Sequence, residues 1–223
     1  MNPKALSPDG YIIGQNLLGD LRYGLLGSDR NGCGWISCYN ALKMLGDPRP
    51  AEEIAADFQK GLLFGGLLGT NVLALVWYLS QEGHQVHVSL FPPHFERLAR
   101  GAGANILMYW HKRGAHFAAF QSEGGLFHFY NAAYGNANDL QSLPEFLRRH
   151  SILPVAVLIS ADDPKRILVR RARSARRRLR AAPARPGSRV SRPLPIFKNY
   201  STNLMEMLSD GREPVWQRDQ IKN

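Results

Sequence analysis

The stretch Asn31-Gly32-Cys33-Gly34-Trp35-Ile36-Ser37-Cys38-Tyr39-Asn40-Ala41-Leu42-Lys43-Met44-Leu45 governs the reading of the whole chain. Trp35, Ile36, Tyr39, Leu42 and Leu45 recur at three- and four-residue spacing, which marks one face of a helix, and Gly46 followed by Asp47-Pro48 stops it. Cys33 stands where a glycine-flanked loop turns into that helix. The amides and dipole of a helix N-terminus favour the thiolate form, and glycines on both sides let the backbone turn and a substrate carbonyl approach closely. Cys38, one and a half turns further in, is expected inside the helix and less activated, although it stands as the alternative nucleophile.

Outward from this helix the pattern is helices first and strands after. Upstream, residues 1–30 are punctuated by glycines and read as loops with one short strand at 11–13. Downstream, helices are expected at 51–59, opened by Pro50, and from Thr70 or Asn71 to about Gln81, ended by Gly83. The period then changes. Val86, Val88 and Leu90 alternate with His87 and Ser89, residues 105–110 form an apolar run, and strands follow at 116–121 and 126–132. Ser122-Glu123-Gly124-Gly125 joins the last two as a hairpin turn, short helices are expected at 93–100 and 144–150, and a final strand at 153–160. This order predicts an α+β domain with N-terminal helices packed on a mostly antiparallel sheet, ending near residue 162.

A cysteine nucleophile needs a base in hydrogen-bond reach, and the base needs a partner that holds its tautomer. His116 has the best context of the seven histidines, because it opens the strand His-Phe-Ala-Ala-Phe directly after the turn Lys112-Arg113-Gly114, at the expected edge of the sheet. A turn centred on residues 123 and 124 sets Asn131 almost opposite His116 and predicts that the Asn131 amide oxygen lies beside the imidazole. Cys33, His116 and Asn131 are thus the candidate catalytic residues.

The combination of Cys-Gly at a helix start, a distant His-Phe opening a strand, and a short hairpin ending in Asn resembles the papain-like cysteine peptidases. Within them it is similar to the double-glycine leader peptidases of bacteriocin exporters and their free-standing relatives. The resemblance spans roughly residues 11–160. It implies a papain-like fold, a Cys, His, Asp/Asn triad on Cys33, His116 and Asn131, and a peptide or protein substrate. The sequence departs from the family at Gly27, where a glutamine six residues before the nucleophile usually helps bind the oxyanion. Gln15 and Asn31 are the candidate replacements. Ser37-Cys38-Tyr39 also echoes the Ser-Cys-Trp of papain itself.

Composition bounds the rest. A chain of 223 residues, 44% apolar, builds one sizeable core with extensions. The expected organisation is a domain over 1–162, a basic, proline-containing linker over 163–195, and a docking helix or tail over 196–223. Twelve of the 28 Lys and Arg fall within 165–192, where no Asp or Glu occurs, leaving 16 basic against 18 acidic residues elsewhere, so the charge of +10 belongs to the tail. Arg170, Arg171, Arg173, Arg176, Arg177, Arg178 and Arg180 form its centre, and nucleic acid or an anionic membrane surface are its candidate partners, with a solvated tail as the plain alternative. No aromatic residue interleaves the run, which argues against base stacking.

Two cysteines are too few for a disulfide framework or a four-cysteine zinc site, and His84, His87, His94 and His111 lack metal-ligand spacing, so no metal or cofactor is expected. The glycine-rich segment 61–70 lacks the Gly-Lys-Ser/Thr ending of a phosphate loop. Trp35, Trp77 and Trp110 are expected in the core. No run reaches the roughly 20 apolar residues of a membrane span, and residues 1–14 have no basic start followed by an apolar run, so a cytoplasmic protein is expected. Three functions stand: a thiol-dependent hydrolase or acyltransferase, a catalytically silent peptide-binding module of the same fold, and a protein that works through its basic tail.

Overall fold

A computed structural model describes residues 1–62, 69–132 and 140–164, all within one unit, Met1–Arg177. The arginine-rich segment, the linker and the expected C-terminal helix lie outside the described residues. None of the described helices is long and apolar enough to cross a membrane.

The helices α1 (Ser28–Asn31), α2 (Cys33–Leu45), α3 (Ala51–Phe58) and α4 (Val72–Gln81) come first, followed by β1 (Gln85–Ser89) and α5 (Phe95–Gly101). Then come β2 (Ala104–His111), β3 (Gly114–Glu123), β4 (Leu126–Tyr130), β5 (Leu140–Gln141), α6 (Leu143–His150) and β6 (Ala156–Asp162). The strands form one sheet in the order β1-β6-β2-β3-β4-β5, and each described pairing is antiparallel. The α+β class expected from the sequence is what the chain adopts.

Local chemistry explains the ends of the elements. Gly46 closes α2 in the left-handed conformation at φ +85°, where a side chain is strained. Asn71 caps α4 by accepting a hydrogen bond from the Leu73 amide, and Ser142 caps α6 by accepting one from the Glu145 amide. Gly124 and Gly125 both have positive φ, the requirement of a two-residue turn whose twist matches its strands.

The sheet is covered on both faces. Phe117 and Ala119 of β3, with Ile106 of β2 and Ile159 of β6, join the core under α2, α3 and α4. Ala118 and Phe120 point the other way, into a second core with Phe95 of α5 and Phe146 of α6. Hence the run His-Phe-Ala-Ala-Phe is buried on both sides rather than alternating with polar residues. The second core is aromatic: Phe129 stacks on Phe146 with centroids 3.8 Å apart and on Phe120 at 4.6 Å, and Tyr109 meets Phe146 edge-on at 5.1 Å. Burying each such ring contributes roughly 1.5–3 kcal/mol, and the geometry of each pair adds about 1 kcal/mol.

The N-terminal segment is a strap across α2. The buried Asn40 side chain accepts from the Ile12 amide at 2.9 Å and donates to the Ile12 carbonyl at 2.9 Å, and the Tyr39 hydroxyl donates to the Gly10 carbonyl at 3.1 Å. Ile12 thereby forms a single bridge with Leu6 instead of the strand expected at 11–13. Its backbone polarity is satisfied by a side chain, which no strand propensity reveals.

Two tryptophans differ from expectation. Trp35 is fully buried, but Trp77 is 64% and Trp110 37% exposed. Almost every residue of α4 is apolar, so its sequence marks no outward face, and Trp77 turns to the outside with Leu73.

Candidate active site

Cys33 begins α2 but does not emerge from a loop. α1 precedes it by one residue, and Gly32 continues in helical geometry at φ −71°, ψ −7°. The indole of Trp35 donates to the Ser28 hydroxyl at 3.2 Å and holds α1 against α2. Gly32 is obligatory here: a Cβ would fall 2.4 Å from the Ser28 carbonyl oxygen. Gly34 is equally constrained, since its Cβ would fall 2.5 Å from Thr70, whose hydroxyl is paired at 2.9 Å with Tyr23. Small residues on both sides of Cys33 thus answer close packing as well as turn geometry.

Cys33 is buried, with 7% of the residue exposed. Burial raises its pKa, while the neighbouring main-chain amides of Phe117, Gly34 and Cys33 itself favour the thiolate and oppose that rise. The Phe117 amide belongs to β3, so the sulfur lies against the strand one residue past His116. Cys38 is completely buried in α2, and burial pushes its thiol well up.

His116 pairs with Tyr109 across β2 and β3, and its ring packs edge-on to Tyr109 and His111, each with centroids 5.6 Å away. Its Nε2 lies 2.6 Å from the backbone carbonyl oxygen of Asn131. A carbonyl only accepts, so Nε2 carries the hydrogen of the neutral ring and Nδ1 keeps the lone pair. Burial lowers the imidazole pKa to about 4. The bond to Asn131 opposes this, while His111 and His150 reinforce it. At neutral pH the pair is therefore a thiol and a neutral imidazole.

Among the described residues no hydrogen bond joins the Cys33 sulfur to the His116 ring. The Cys33 sulfur lies at the Phe117 amide on the α2 side of β3, where Phe117 joins the core under α2, whereas the His116 ring packs on Tyr109, which belongs to the core on the other face.

The hairpin register departs from expectation by two residues. The turn is Gly124-Gly125, Glu123 pairs with Leu126, and the ladder ends at Ala119 and Tyr130. Asn131 therefore follows opposite Ala118 rather than His116. It takes φ +59°, the left-handed conformation in which Asn is favoured among non-glycine residues, and there its carbonyl, not its side-chain oxygen, receives the histidine.

The Asn131 side chain is committed elsewhere. Its Oδ1 accepts from the Gln15 amide at 3.2 Å and its Nδ2 donates to Gln15 Oε1 at 3.1 Å. Gln15 Nε2 in turn donates to the Asp29 carbonyl in α1 at 3.2 Å. The glutamine is thus at the site, occupied in a clamp between α1 and Asn131. Asn31 sits half-buried at the end of α1, two residues before Cys33.

His111, His150 and Tyr109 around His116 were not singled out as neighbours of the site by sequence. A signal existed for two of them: His111 and Tyr109 are two apart on β2, hence on one face. Among the described residues no group of three His, Cys, Asp or Glu is placed to hold a metal ion.

No family model matches the chain, and no curated protein does. Among solved structures, part of the chain is similar to two peptidase domains. One is the peptidase domain of Streptococcus ComA, a bi-functional ABC transporter involved in quorum sensing, with 14% identity over 58% of this chain and 91% of that one and a TM-score of 0.41. Another is a double glycine motif protease from an AMS/PCAT transporter, in complex with the leader peptide, with 17% identity over 58% of this chain and 82% of that one and a TM-score of 0.41.

Proposed function

We propose that this chain is a thiol-dependent hydrolase of a peptide or amide bond, with a papain-like arrangement in which Cys33 is the nucleophile, His116 the base and Asn131 the residue that orients the base. The observation that carries this reading is the tautomer of His116: the Asn131 carbonyl takes the Nε2 hydrogen and leaves Nδ1 as the basic nitrogen, on the residue adjoining the amide against which the Cys33 sulfur rests.

The chemistry follows from those protonation states. As the Cys33 sulfur attacks the substrate carbonyl carbon, its proton passes to His116 Nδ1, and the resulting imidazolium is stabilised through Nε2 by Asn131. Collapse of the tetrahedral adduct breaks the C–N bond, and the imidazolium returns the proton to the leaving amine. Water then attacks the thioester with Nδ1 again as base, releasing the acid and the thiol. An amine in place of that water gives acyl transfer with the same residues. The side-chain amide of Gln15 is engaged with Asp29 and Asn131, so the oxyanion contact falls to main-chain N–H groups at the start of α2.

One observation favours a second reading, a peptide-binding module without turnover: the sulfur and the imidazole share no hydrogen bond, and their pKa values are pushed apart into the neutral pair. Labelling with a thiol-reactive peptide probe, mapped by mass spectrometry, distinguishes the two. Rapid modification of Cys33 that is lost in His116→Ala supports catalysis. Slow modification of both cysteines alike, with peptide binding retained, supports the silent module.

A further inference from the structure

The clamp between Gln15 and Asn131 has no role in the reaction as written above, yet it connects the strap, α1 and the segment that binds the base. Gln15 and Asn131 are 116 residues apart and exchange two hydrogen bonds, main chain to side chain and side chain to side chain. Every polar atom of the Asn131 side chain is used in that exchange, and Asn131 is 3% exposed. The residue it fixes is the same one that stands at φ +59°, in the left-handed region. A backbone carbonyl in such a conformation points where it does only while something outside the local chain holds it. Gln15 supplies that hold, and it is itself fixed by its bond to the Asp29 carbonyl four residues before Cys33.

We infer that Gln15 is a positioning residue, which acts through the Asn131 side chain to aim the Asn131 carbonyl at His116 Nε2 and so sets the tautomer that leaves Nδ1 free for the Cys33 proton. The inference rests on the hydrolase reading for its consequence in catalysis, but its structural content, the tautomer of His116, is independent of turnover. It assigns Gln15 a different task from oxyanion binding: the glutamine serves the base, not the developing negative charge.

The test uses the full chain and two measurements, the ring-nitrogen NMR spectrum of His116 at pH 7 and the rate of Cys33 modification by a thiol-reactive peptide probe. Wild type should show one tautomer, with the hydrogen on Nε2. Gln15→Leu removes both side-chain bonds and should give a mixture of tautomers with a loss on the order of 10- to 100-fold in Cys33 labelling, the scale of a reacting group misplaced by an ångström or less. Gln15→Glu keeps the acceptor for Asn131 Nδ2 and should retain most of the wild-type tautomer. In an Asn131→Gly background, which keeps a carbonyl and tolerates positive φ, Gln15→Leu should have no further effect on the tautomer.

A Gln15→Leu protein that melts earlier but keeps the single Nε2–H tautomer overturns the inference, because the glutamine is then merely structural. Equal damage from Gln15→Glu and Gln15→Leu also overturns it, since the tie to Asp29 rather than to Asn131 would then be what matters. If wild-type Cys33 proves no more reactive than an ordinary thiol, the hydrolase reading fails, and the tautomer comparison alone decides the role of Gln15.

Discussion

Replacing His116 by Gln should flatten the acid limb of the stability curve. In the folded protein the imidazole is held neutral down to about pH 4, whereas in the unfolded chain it titrates near its ordinary value of 6.5. The folded pKa is the lower one, so between those values the unfolded state binds more protons and stability falls as pH is lowered. Stability associated with the neutral ring is fully present above pH 6.5 and is lost as pH drops toward 4. Each tenfold change in the protonation ratio is worth about 1.4 kcal/mol, so the window from 6.5 to 4 amounts to about 3 kcal/mol. Glutamine does not titrate and keeps an N–H for the Asn131 carbonyl. Urea unfolding of both proteins from pH 7 to pH 4 measures the difference, in which other titrating groups, including His111, cancel to first order. The wild type should lose about 3 kcal/mol more than His116→Gln over this range. Parallel curves, with a difference constant to about 1 kcal/mol, would refute the claim that burial holds this histidine neutral. The same titration sets the acid limb of Cys33 reactivity toward a peptide probe, which should fall near pH 4 and not near 6.5.

Gly34→Ala should destabilise the protein by about 1–3 kcal/mol in thermal or urea melts, because the added Cβ meets Thr70 at 2.5 Å, whereas Gly101→Ala, with nothing within 4 Å, should change little. Asn40→Ala leaves the amide and carbonyl of Ile12 without partners in the core and should cost roughly 2–4 kcal/mol, with faster proteolysis of the N-terminal strap that carries Gln15. Cys38→Ala should lower stability by about 1 kcal/mol through lost packing yet leave Cys33 labelling unchanged, as mass-spectrometric mapping will show; loss of labelling would instead name Cys38 as the nucleophile.

The elements legible beforehand are those whose signals are local. The apolar spacing of residues 35–45 and the stop at Gly46 mark α2, Asn71 marks the start of α4, and the glycine pair marks the hairpin. What failed was longer in range or lay between alternatives of equal local quality. Centring the turn on 123 and 124 instead of 124 and 125 shifts the register by two, and a two-residue shift keeps every side chain on its own face, so the hydrophobic pattern gives no warning. α1 was hidden in a glycine-punctuated loop because it is only four residues long and carries no side-chain cap, and it is tied to α2 by the Trp35 bond to Ser28.

The amino-acid sequence by itself determined which side chains are available for chemistry and in what order, because a helix start, a strand and a turn are written in neighbours. Tertiary structure alone decided how they meet: it chose the carbonyl of Asn131 over its amide, sent the amide to Gln15 across 116 residues, and buried His116 deeply enough to keep it neutral. These outcomes depend on contacts between distant segments and on the exclusion of water, and neither is encoded in any short window of the chain.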